Sequence, residues 1–550
     1  MQRTPATSAS PRLSAPWAEH IRRHYEAHAS SQFILFGNIH DLVLLPESRF
    51  GTLHEGLTHL TQKFDLIISY RIDRGIWIEK GGDTIGTVKE GWHPETAIPE
   101  IGRILRSATF ARGAARQIAV IIHEAEKIFP AGQRGAHYDL AHLVSGVRAW
   151  ASDAQYREHP LATFLITENR AELHEDIVHN SRTIQIEVPV PGEAEVTQAL
   201  ELWAKIYPQA LSTTDLALLG RGLKGVMLQS LEQEVKLAQH AGEPLALDQI
   251  GAIKKRLVER EAGDLLEFLQ SRRRLADIAG LKEAKQLIGL HLSMWKQGKT
   301  QKFPKGYLLA GPVGTGKTYV VDCIAGEGAV PVVKLKNFRD MWYGKTEGNL
   351  EKAFRLIRAL APCIVFIDEA DQSLGKRDAA ANDGGLSGRI YSQFAQEMSD
   401  PSTRGQILWI LATSRPDLVE VDLKRPGRVD VKFALMPTGS TEESVQLLQA
   451  LLKKEKLLTE EQLLQVATLG EKIPNWLTPG AAESICAALY TALCGAEAEG
   501  RPSNPLAELT QLLENYQPPV SKDVMEFQIR IAAAEATSAQ LIPLAFRNYR

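Results

Sequence analysis

One glycine-rich segment of the 550-residue chain has the residue types and spacing of a nucleotide phosphate site. It follows the apolar run 307–310, precedes a helical pattern that begins near Tyr319, and fits the pattern G-x-x-x-x-G-K-[ST]. Its residues are Gly311, Pro312, Val313, Gly314, Thr315, Gly316, Lys317 and Thr318. Glycines let consecutive backbone N–H groups converge on phosphate oxygens, and the following helix N-terminus adds partial positive charge. We therefore expect Lys317 to reach the β- and γ-phosphates of ATP and the Thr318 hydroxyl to ligate Mg²⁺.

A second candidate element is the apolar run 363–367, which ends in the adjacent carboxylates Asp368 and Glu369. Such a run is typical of a strand buried on both faces of a parallel sheet. We expect Asp368 to hold Mg²⁺ and Glu369 to polarise the water that attacks the γ-phosphate. The alternative is a core strand that ends in two solvated acids.

Composition and length limit the class of protein. A chain of 550 residues is too long for one core, so two to four domains of about 150 residues are expected. The formal net charge of −3 gives no global basic field for nucleic acid. The four cysteines lack C-x-x-C spacing, no apolar stretch approaches about 18 residues, and no signal peptide is visible. We therefore expect reduced thiols, no membrane span and a cytoplasmic location.

Motifs around the two elements resemble those of AAA ATPases of the AAA+ superfamily. Residues 276–281 are similar to the linker ahead of the AAA module, and 341–347 resemble its aromatic pore loop. Residues 412–430 resemble the second homology region, and 477–482 resemble the lid segment that carries the second sensor. The resemblance covers about residues 272 to 500 and implies a P-loop NTPase fold, in which a doubly wound parallel α/β sheet is followed by a helical lid.

The resemblance also implies roles for residues in the second homology region. Ser414 lies at the sensor position, where the family usually carries Asn to orient the attacking water, and its shorter reach favours slower hydrolysis. Arg425 and Arg428 resemble arginine fingers, which act in the site of a neighbouring subunit. The alternative for both is a pair of surface arginines near a Pro-Gly turn.

Two further sets of residues complete the implied site. Gly480 and Ala481 would let a lid helix approach the nucleotide. Trp342, Tyr343 and Gly344 would form the pore loop, although Trp342 and Tyr343 are equally compatible with core aromatics. Arginine fingers act in the site of a neighbouring subunit, and a pore loop requires a ring with a central pore. The resemblance therefore implies a homo-oligomeric ring, a hexamer in the family pattern.

The predicted domain boundaries follow these motifs. The N-terminal residues are rich in Ser, Thr, Pro and Ala, which indicates disorder. The predicted segments are 1–19, a disordered tail; 20–265, a degenerate AAA-like α/β domain without a P-loop; 266–300, a linker and helix; 301–437, the large ATPase subdomain; 438–518, the helical lid; and 519–550, a C-terminal helix and tail.

The first half of the chain has a sequence pattern similar to that of the second half, but it lacks the residues expected to bind and hydrolyse ATP. His123 and Asn169 each lie 245 residues before Asp368 and Ser414, in similar apolar surroundings. After the apolar run 33–36 there is no glycine cluster and no lysine, and a neutral imidazole is a poor Mg²⁺ ligand, so this half should not hydrolyse ATP. The alternative is an unrelated α/β domain. The whole chain resembles divergent plastid, cyanobacterial and bacterial AAA proteins with an inactive N-terminal half.

Three functions are compatible with these features. The first is an ATP-driven motor that remodels a protein partner. The second is a regulatory ATP switch, whose inactive N-terminal domain binds a partner without threading it. The third, a nucleic-acid-linked ATPase, is disfavoured by the acidic balance and by the absence of a recognisable DNA-binding element.

Overall fold

The computed structural model describes most of the chain. The described residues are 15–46, 48–84, 93–110, 116–131, 138–157, 159–211, 215–245, 250–278, 280–327, 330–336, 346–374, 386–499, 501–502 and 504–550. They form two compact units. Unit 1 is Met1–Glu261 with Asp340–Leu360, and unit 2 is Ala262–Arg339 with Ala361–Arg550.

Strands and helices alternate in both units, as a parallel α/β fold requires. The strands are β1 Gln32–Gly37, β2 Leu42–Leu45, β3 Arg49–Thr52, β4 Leu66–Arg71, β5 Gly75–Lys80, β6 Ile118–Ile122, β7 Leu161–Ile166, β8 Thr183–Val188, β9 Leu266–Leu269, β10 Gly306–Ala310, β11 Val332–Leu335, β12 Cys363–Ile367, β13 Ile407–Thr413 and β14 Val431–Ala434. The helices are α1 Pro16–Glu26, α2 Leu53–Leu60, α3 Pro94–Phe110, α4 Ala125–Ile128, α5 Tyr138–Ser152, α6 Ala154–Arg157, α7 Glu175–Val178, α8 Glu193–Ile206, α9 Leu216–Gly222, α10 Leu228–Ala241, α11 Ile250–Ala262, α12 Lys282–Lys296, α13 Lys317–Gly326, α14 Thr346–Leu360, α15 Ala370–Ser373, α16 Leu386–Ser399, α17 Thr441–Lys454, α18 Glu460–Gln465, α19 Pro479–Ala498, α20 Pro505–Glu514 and α21 Lys522–Glu535.

The main sheets of the two units have the same strand order. In unit 1 the order is β5-β4-β6-β7-β1-β8, and in unit 2 it is β9-β11-β12-β13-β10-β14. All neighbours are parallel except the edge strands β5 and β9, which are antiparallel to β4 and β11. The central strands β1, β6, β7, β10, β12 and β13 are buried along their whole length, which explains their continuous apolar sequences. The predicted fold class is confirmed.

A helical lid follows the last parallel strand of each sheet. In unit 1 the lid is α8–α11, and in unit 2 it is α17–α20. Each lid has an apolar core of its own, centred on Leu200 and Leu231 in unit 1 and on Leu448 and Leu489 in unit 2. The first helix of the unit 2 lid begins where the Ser440 side chain accepts a hydrogen bond from Glu443 N.

Two local features differ from the sequence-based expectation. The segment expected as a linker contributes β9, which pairs with β11 at the edge of the sheet. The end of the expected disordered tail is helical, because α1 begins at Pro16 and buries Trp17 and Ile21. No helix in the described ranges is long and apolar enough to cross a lipid bilayer.

Candidate nucleotide site

The glycine-rich loop of unit 2 connects β10 to α13. Gly314 and Gly316 both have φ of 84°, a left-handed conformation that strains residues with a side chain, which explains two of the glycines. The Thr315 hydroxyl donates a hydrogen bond to Pro312 O at 2.9 Å and tightens the turn. The loop therefore has the glycine conformations and the position before a helix N-terminus that a phosphate cradle requires.

Lys317 is the first residue of α13, and its ammonium lies within the loop. Its Nζ donates to Gly311 O at 2.8 Å and to Pro312 O at 2.9 Å. Burial lowers the pKa of Lys317 to about 8, while the charges of Asp368 and Glu369 oppose that shift. An anionic phosphate would add a favourable partner for this desolvated cation.

A cavity of about 500 Å³ lies beside the loop. Residues 314–318 line its polar side, and its apolar side is formed by Ile278, Leu281, Met436 and Leu447. This volume is in the range of small-molecule sites, and a polar and an apolar wall suit the phosphates and the base of a nucleotide.

The lid of unit 2 approaches the loop at the start of α19. Gly480 N donates to Gly314 O at 3.0 Å, and a Cβ on Gly480 would lie 3.3 Å from Gly314 Cα. The Thr478 side chain caps the helix by accepting from Ala481 N at 3.2 Å. Gly480 and the buried Ala481 thus lie where the lid meets the phosphate loop, and Gly480 also lines the cavity.

The two adjacent carboxylates follow the buried strand β12. Asp368 Oδ2 accepts from Lys334 Nζ of the neighbouring β11 at 2.9 Å, a partner that sequence reasoning missed. Glu369 is exposed and has a left-handed backbone with φ of 46°. Strained residues of this kind concentrate at functional sites.

The carboxylate and the hydroxyl predicted to hold Mg²⁺ are compatible with that ion. Thr318 and Asp368 offer the oxygen ligands that Mg²⁺ prefers, and phosphates and water usually complete its shell. In the described part of the chain no cluster of three or more His, Cys, Asp or Glu side chains could hold a metal ion alone. The donor set therefore fits a metal bound together with a nucleotide.

The sensor position lies at the end of β13, which pairs with β12. Ser414 follows Thr413, whose hydroxyl donates to Asp371 Oδ1 at 2.6 Å. This bond connects the sensor strand to the helical turn after Glu369, and the motifs gave no indication of it. It fixes the backbone from which Ser414 projects.

The two candidate finger arginines lie on a turn that follows β13. Arg425 pairs with Asp422 Oδ1 at 2.8 Å, and Arg428 Nη1 donates to Asp422 O at 2.7 Å. The Arg425 side chain is 67% exposed. Arg425 and Arg428 are not among the described residues that line the cavity, and neither are Asp368, Glu369 and Ser414. Trp342, Tyr343 and Gly344 lie outside the described residues.

The corresponding position in unit 1 contains an internal carboxylate. Asp41, in the loop after β1, accepts from Leu228 N at 3.0 Å and from Gln229 N at 2.9 Å, at the start of α10. It also accepts from Asn38 Nδ2 at 2.9 Å and is 2% exposed. The helix α10 is the third lid helix of unit 1, as α19 is of unit 2. In unit 1 the N-terminus of this helix is therefore bound by the carboxylate of Asp41.

His123 lies in unit 1 where unit 2 has Asp368. Its Nε2 is 3.1 Å from His54 Nδ1, and its ring stacks on Trp77. Burial lowers its pKa to about 4, helped by His54, so the imidazole is neutral at pH 7. The next residue, Glu124, keeps the left-handed backbone of Glu369, with φ of 50°. Unit 1 therefore retains the backbone conformation of the unit 2 site, but it has His123 in place of the carboxylate that is expected to hold the metal.

Fold and site together define a P-loop ATPase. Residues 307–436 match the family model "ATPase family associated with various cellular activities (AAA)", and residues 8–189 match "AAA+ chaperone, N-terminal Rossmann-like domain". The chain belongs to the AAA+ ATPases.

Relatives of this chain include two peroxisomal ATPases and one archaeal protein. Peroxisomal ATPase PEX6 of Arabidopsis thaliana is 32% identical over 221 residues, 38% of this chain and 23% of that protein. The PEX6 of Cricetulus griseus is 28% identical over 369 residues, 61% and 37% of the two chains. The cell division cycle protein 48 homolog of Archaeoglobus fulgidus is 28% identical over 319 residues, 52% and 42% of the two chains. The match thus spans less than half of each relative.

Proposed function

We propose that this protein is a ring-forming, ATP-hydrolysing motor that remodels a protein partner in the cytoplasm. The observation that carries the proposal is a phosphate loop beside a nucleotide-sized cavity, with two carboxylates whose charges act on the loop lysine Lys317. Arg425 is exposed on its turn, which is compatible with action in the site of a second copy and supports a closed homo-oligomer of the hexameric type.

Each residue has a role in hydrolysis under this proposal. Lys317 exchanges its loop carbonyl partners for the β- and γ-phosphates. Bound Mg²⁺, held through Thr318 and Asp368, would neutralise phosphate charge. Glu369 accepts a proton from the attacking water, which the Ser414 hydroxyl orients. Arg425 and Arg428 of a neighbouring subunit stabilise the charge that develops on the γ-phosphate.

Unit 1 serves as a docking or ring-stabilising element without a nucleotide. The Asp41 carboxylate already satisfies the N–H groups at the start of α10, and it would repel a phosphate there. The neutral His123 offers no charge for a metal. These observations support an N-terminal domain that keeps the AAA+ architecture and has lost its chemistry.

Replacement of Arg428 tests whether the site is shared between subunits. We expect Arg428→Ala to leave ATP affinity nearly unchanged and to lower turnover by about 1,000-fold, because only the transition state loses its cation. Steady-state hydrolysis and nucleotide titration measure the two effects. Arg501→Ala, which removes an exposed arginine paired with Glu499 in unit 2, is the control.

Mixing two inactive proteins extends this test. Exchange of subunits between Arg428→Ala and Glu369→Gln proteins places an intact Arg428 beside an intact Glu369 at some interfaces. Recovery of activity supports a shared site. A strictly monomeric chain whose hydrolysis does not respond to Arg428→Ala would refute it.

Replacement of Trp342 separates a threading motor from a regulatory switch. A partner is first captured with the Glu369→Gln chain in ATP, which should hold it without release. We then expect Trp342→Ala to retain basal hydrolysis and partner binding and to lose remodelling, measured as protease sensitivity of the partner, because threading needs an aromatic grip. If Trp342→Ala remodels the partner as well as wild type does, the switch is the better account.

A further inference from the structure

The C-terminal helix α21 contacts the catalytic elements of its own unit. Gln528 is 6% exposed, and its Oε1 accepts a hydrogen bond from Val313 N of the phosphate loop at 3.3 Å. The ring of Phe527 lies 5.2 Å from the guanidinium carbon of Arg415, the residue after Ser414. The helix α21 thus meets both the phosphate loop and the segment that follows the sensor strand.

The last residue of α21 holds a buried lysine beside the finger turn. Glu535 forms an ion pair with Lys424, whose side chain is 8% exposed, and accepts from Lys432 Nζ at 2.9 Å. Lys424 Nζ also donates to Pro416 O at 2.8 Å. The two lysines keep the pKa of Glu535 below its usual value, although burial acts in the opposite direction. Removal of the Glu535 charge would leave the buried ammonium of Lys424 without its carboxylate, which is costly.

The contacts of Gln528 and Glu535 lie along one side of α21. Gln528 and Glu535 are seven residues apart, about two helical turns, and therefore lie on the same face of α21. Beyond the helix, Lys432 N donates to Thr537 Oγ1 at 2.7 Å, and Thr537 N donates to Lys432 O at 3.2 Å. The segment directly after α21 is thus attached to β14 by main-chain as well as side-chain hydrogen bonds.

We propose that α21 is a positioning element for ATP hydrolysis, in which Glu535 holds Lys424 and so fixes the turn that carries Arg425 and Arg428. Lys424 directly precedes Arg425, and its ammonium ties the turn to Pro416 and Glu535 at once. Displacement of a charge-stabilising group by about 1 Å can cost on the order of 100-fold in rate. This inference rests on the proposed function, because it needs arginines that act in hydrolysis.

The test is the effect of Glu535→Gln on the kinetics of the full chain. Glutamine keeps the shape of the side chain and removes the charge that holds Lys424. We expect kcat to fall by about 10-fold or more while KM and the Kd for ATP stay within about 2-fold, because the finger turn does not line the cavity that binds the nucleotide. Glu535→Asp, which keeps the charge on a shorter side chain, should have an intermediate kcat. This variant also tests the proposal if Glu535→Gln does not fold.

Two controls separate positioning from general stability. Glu526→Gln removes a carboxylate of the same helix that pairs with Arg530, and it should not change kcat. Lys432→Met removes the other partner of Glu535 and should retain near-normal kcat. Equal loss in Lys432→Met and Glu535→Gln, or an unchanged kcat in Glu535→Gln, would overturn the inference. A wild-type chain without ATP hydrolysis would instead overturn the proposed function.

Discussion

The Glu369→Gln chain is expected to bind ATP like wild type and to hydrolyse it about 100- to 10,000-fold more slowly. Glu369 is exposed just after a buried strand and has a left-handed backbone, with φ of 46°. The amide has nearly the same shape, so binding should persist, but it cannot accept a proton from water. Steady-state phosphate release and nucleotide titration measure the two quantities.

Unit 1 supplies a matched control for this substitution. Glu124 follows the corresponding buried strand and has nearly the same backbone, with φ of 50° against 46°. Glu124→Gln should leave hydrolysis unchanged, because unit 1 has no phosphate loop beside that carboxylate. If Glu369→Gln hydrolyses ATP at the wild-type rate, the base is another group.

Lys317→Ala is expected to weaken ATP binding by about 100-fold or more, which corresponds to roughly 3 kcal/mol. The ammonium is the first side chain of α13, is held inside the phosphate loop by two carbonyl oxygens, and is partly desolvated before ATP arrives. Its removal takes away the mobile cation nearest to the β- and γ-phosphates. Calorimetric titration of the full chain with ATP and Mg²⁺ measures the loss.

A lysine elsewhere in unit 2 controls for charge. Lys336→Ala removes a cation that pairs with the exposed Asp264, and it should bind ATP normally. The same titration reports on unit 1, since any site there is untouched by Lys317→Ala. Loss of one site while a second keeps its affinity would mean that the Asp41 loop is a working site, whereas unchanged affinity and stoichiometry would refute the assignment of Lys317.

Much of unit 2 could be predicted from the sequence because its motifs are short, continuous segments. Continuous apolar runs identified β10 and β12, and glycine spacing placed the phosphate loop directly before α13. The repeat interval of 245 residues led to the prediction that the first half copies the second, and the two sheets have the same strand order. Periodicity and glycine positions are properties of short segments, so a single sequence contains them.

The contacts missed by sequence reasoning join residues far apart in the chain. Lys334 meets Asp368 across 34 residues, Asp41 reaches Leu228 across 187, and Gln528 reaches the phosphate loop across 215. Each of these side chains is of an ordinary type for the exposed end of a strand, a loop or a helix. Their partners are determined by tertiary packing, which no spacing rule encodes.

The central claim, one nucleotide site per chain in unit 2, is tested most directly by the stoichiometry of ATP binding to the Glu369→Gln chain. This variant should bind ATP without consuming it, so saturation can be measured at equilibrium. We predict one ATP per chain, and no saturation by ATP in the same concentration range when Lys317→Ala is added. Two ATP per chain, or one ATP that persists after Lys317→Ala, would contradict the account.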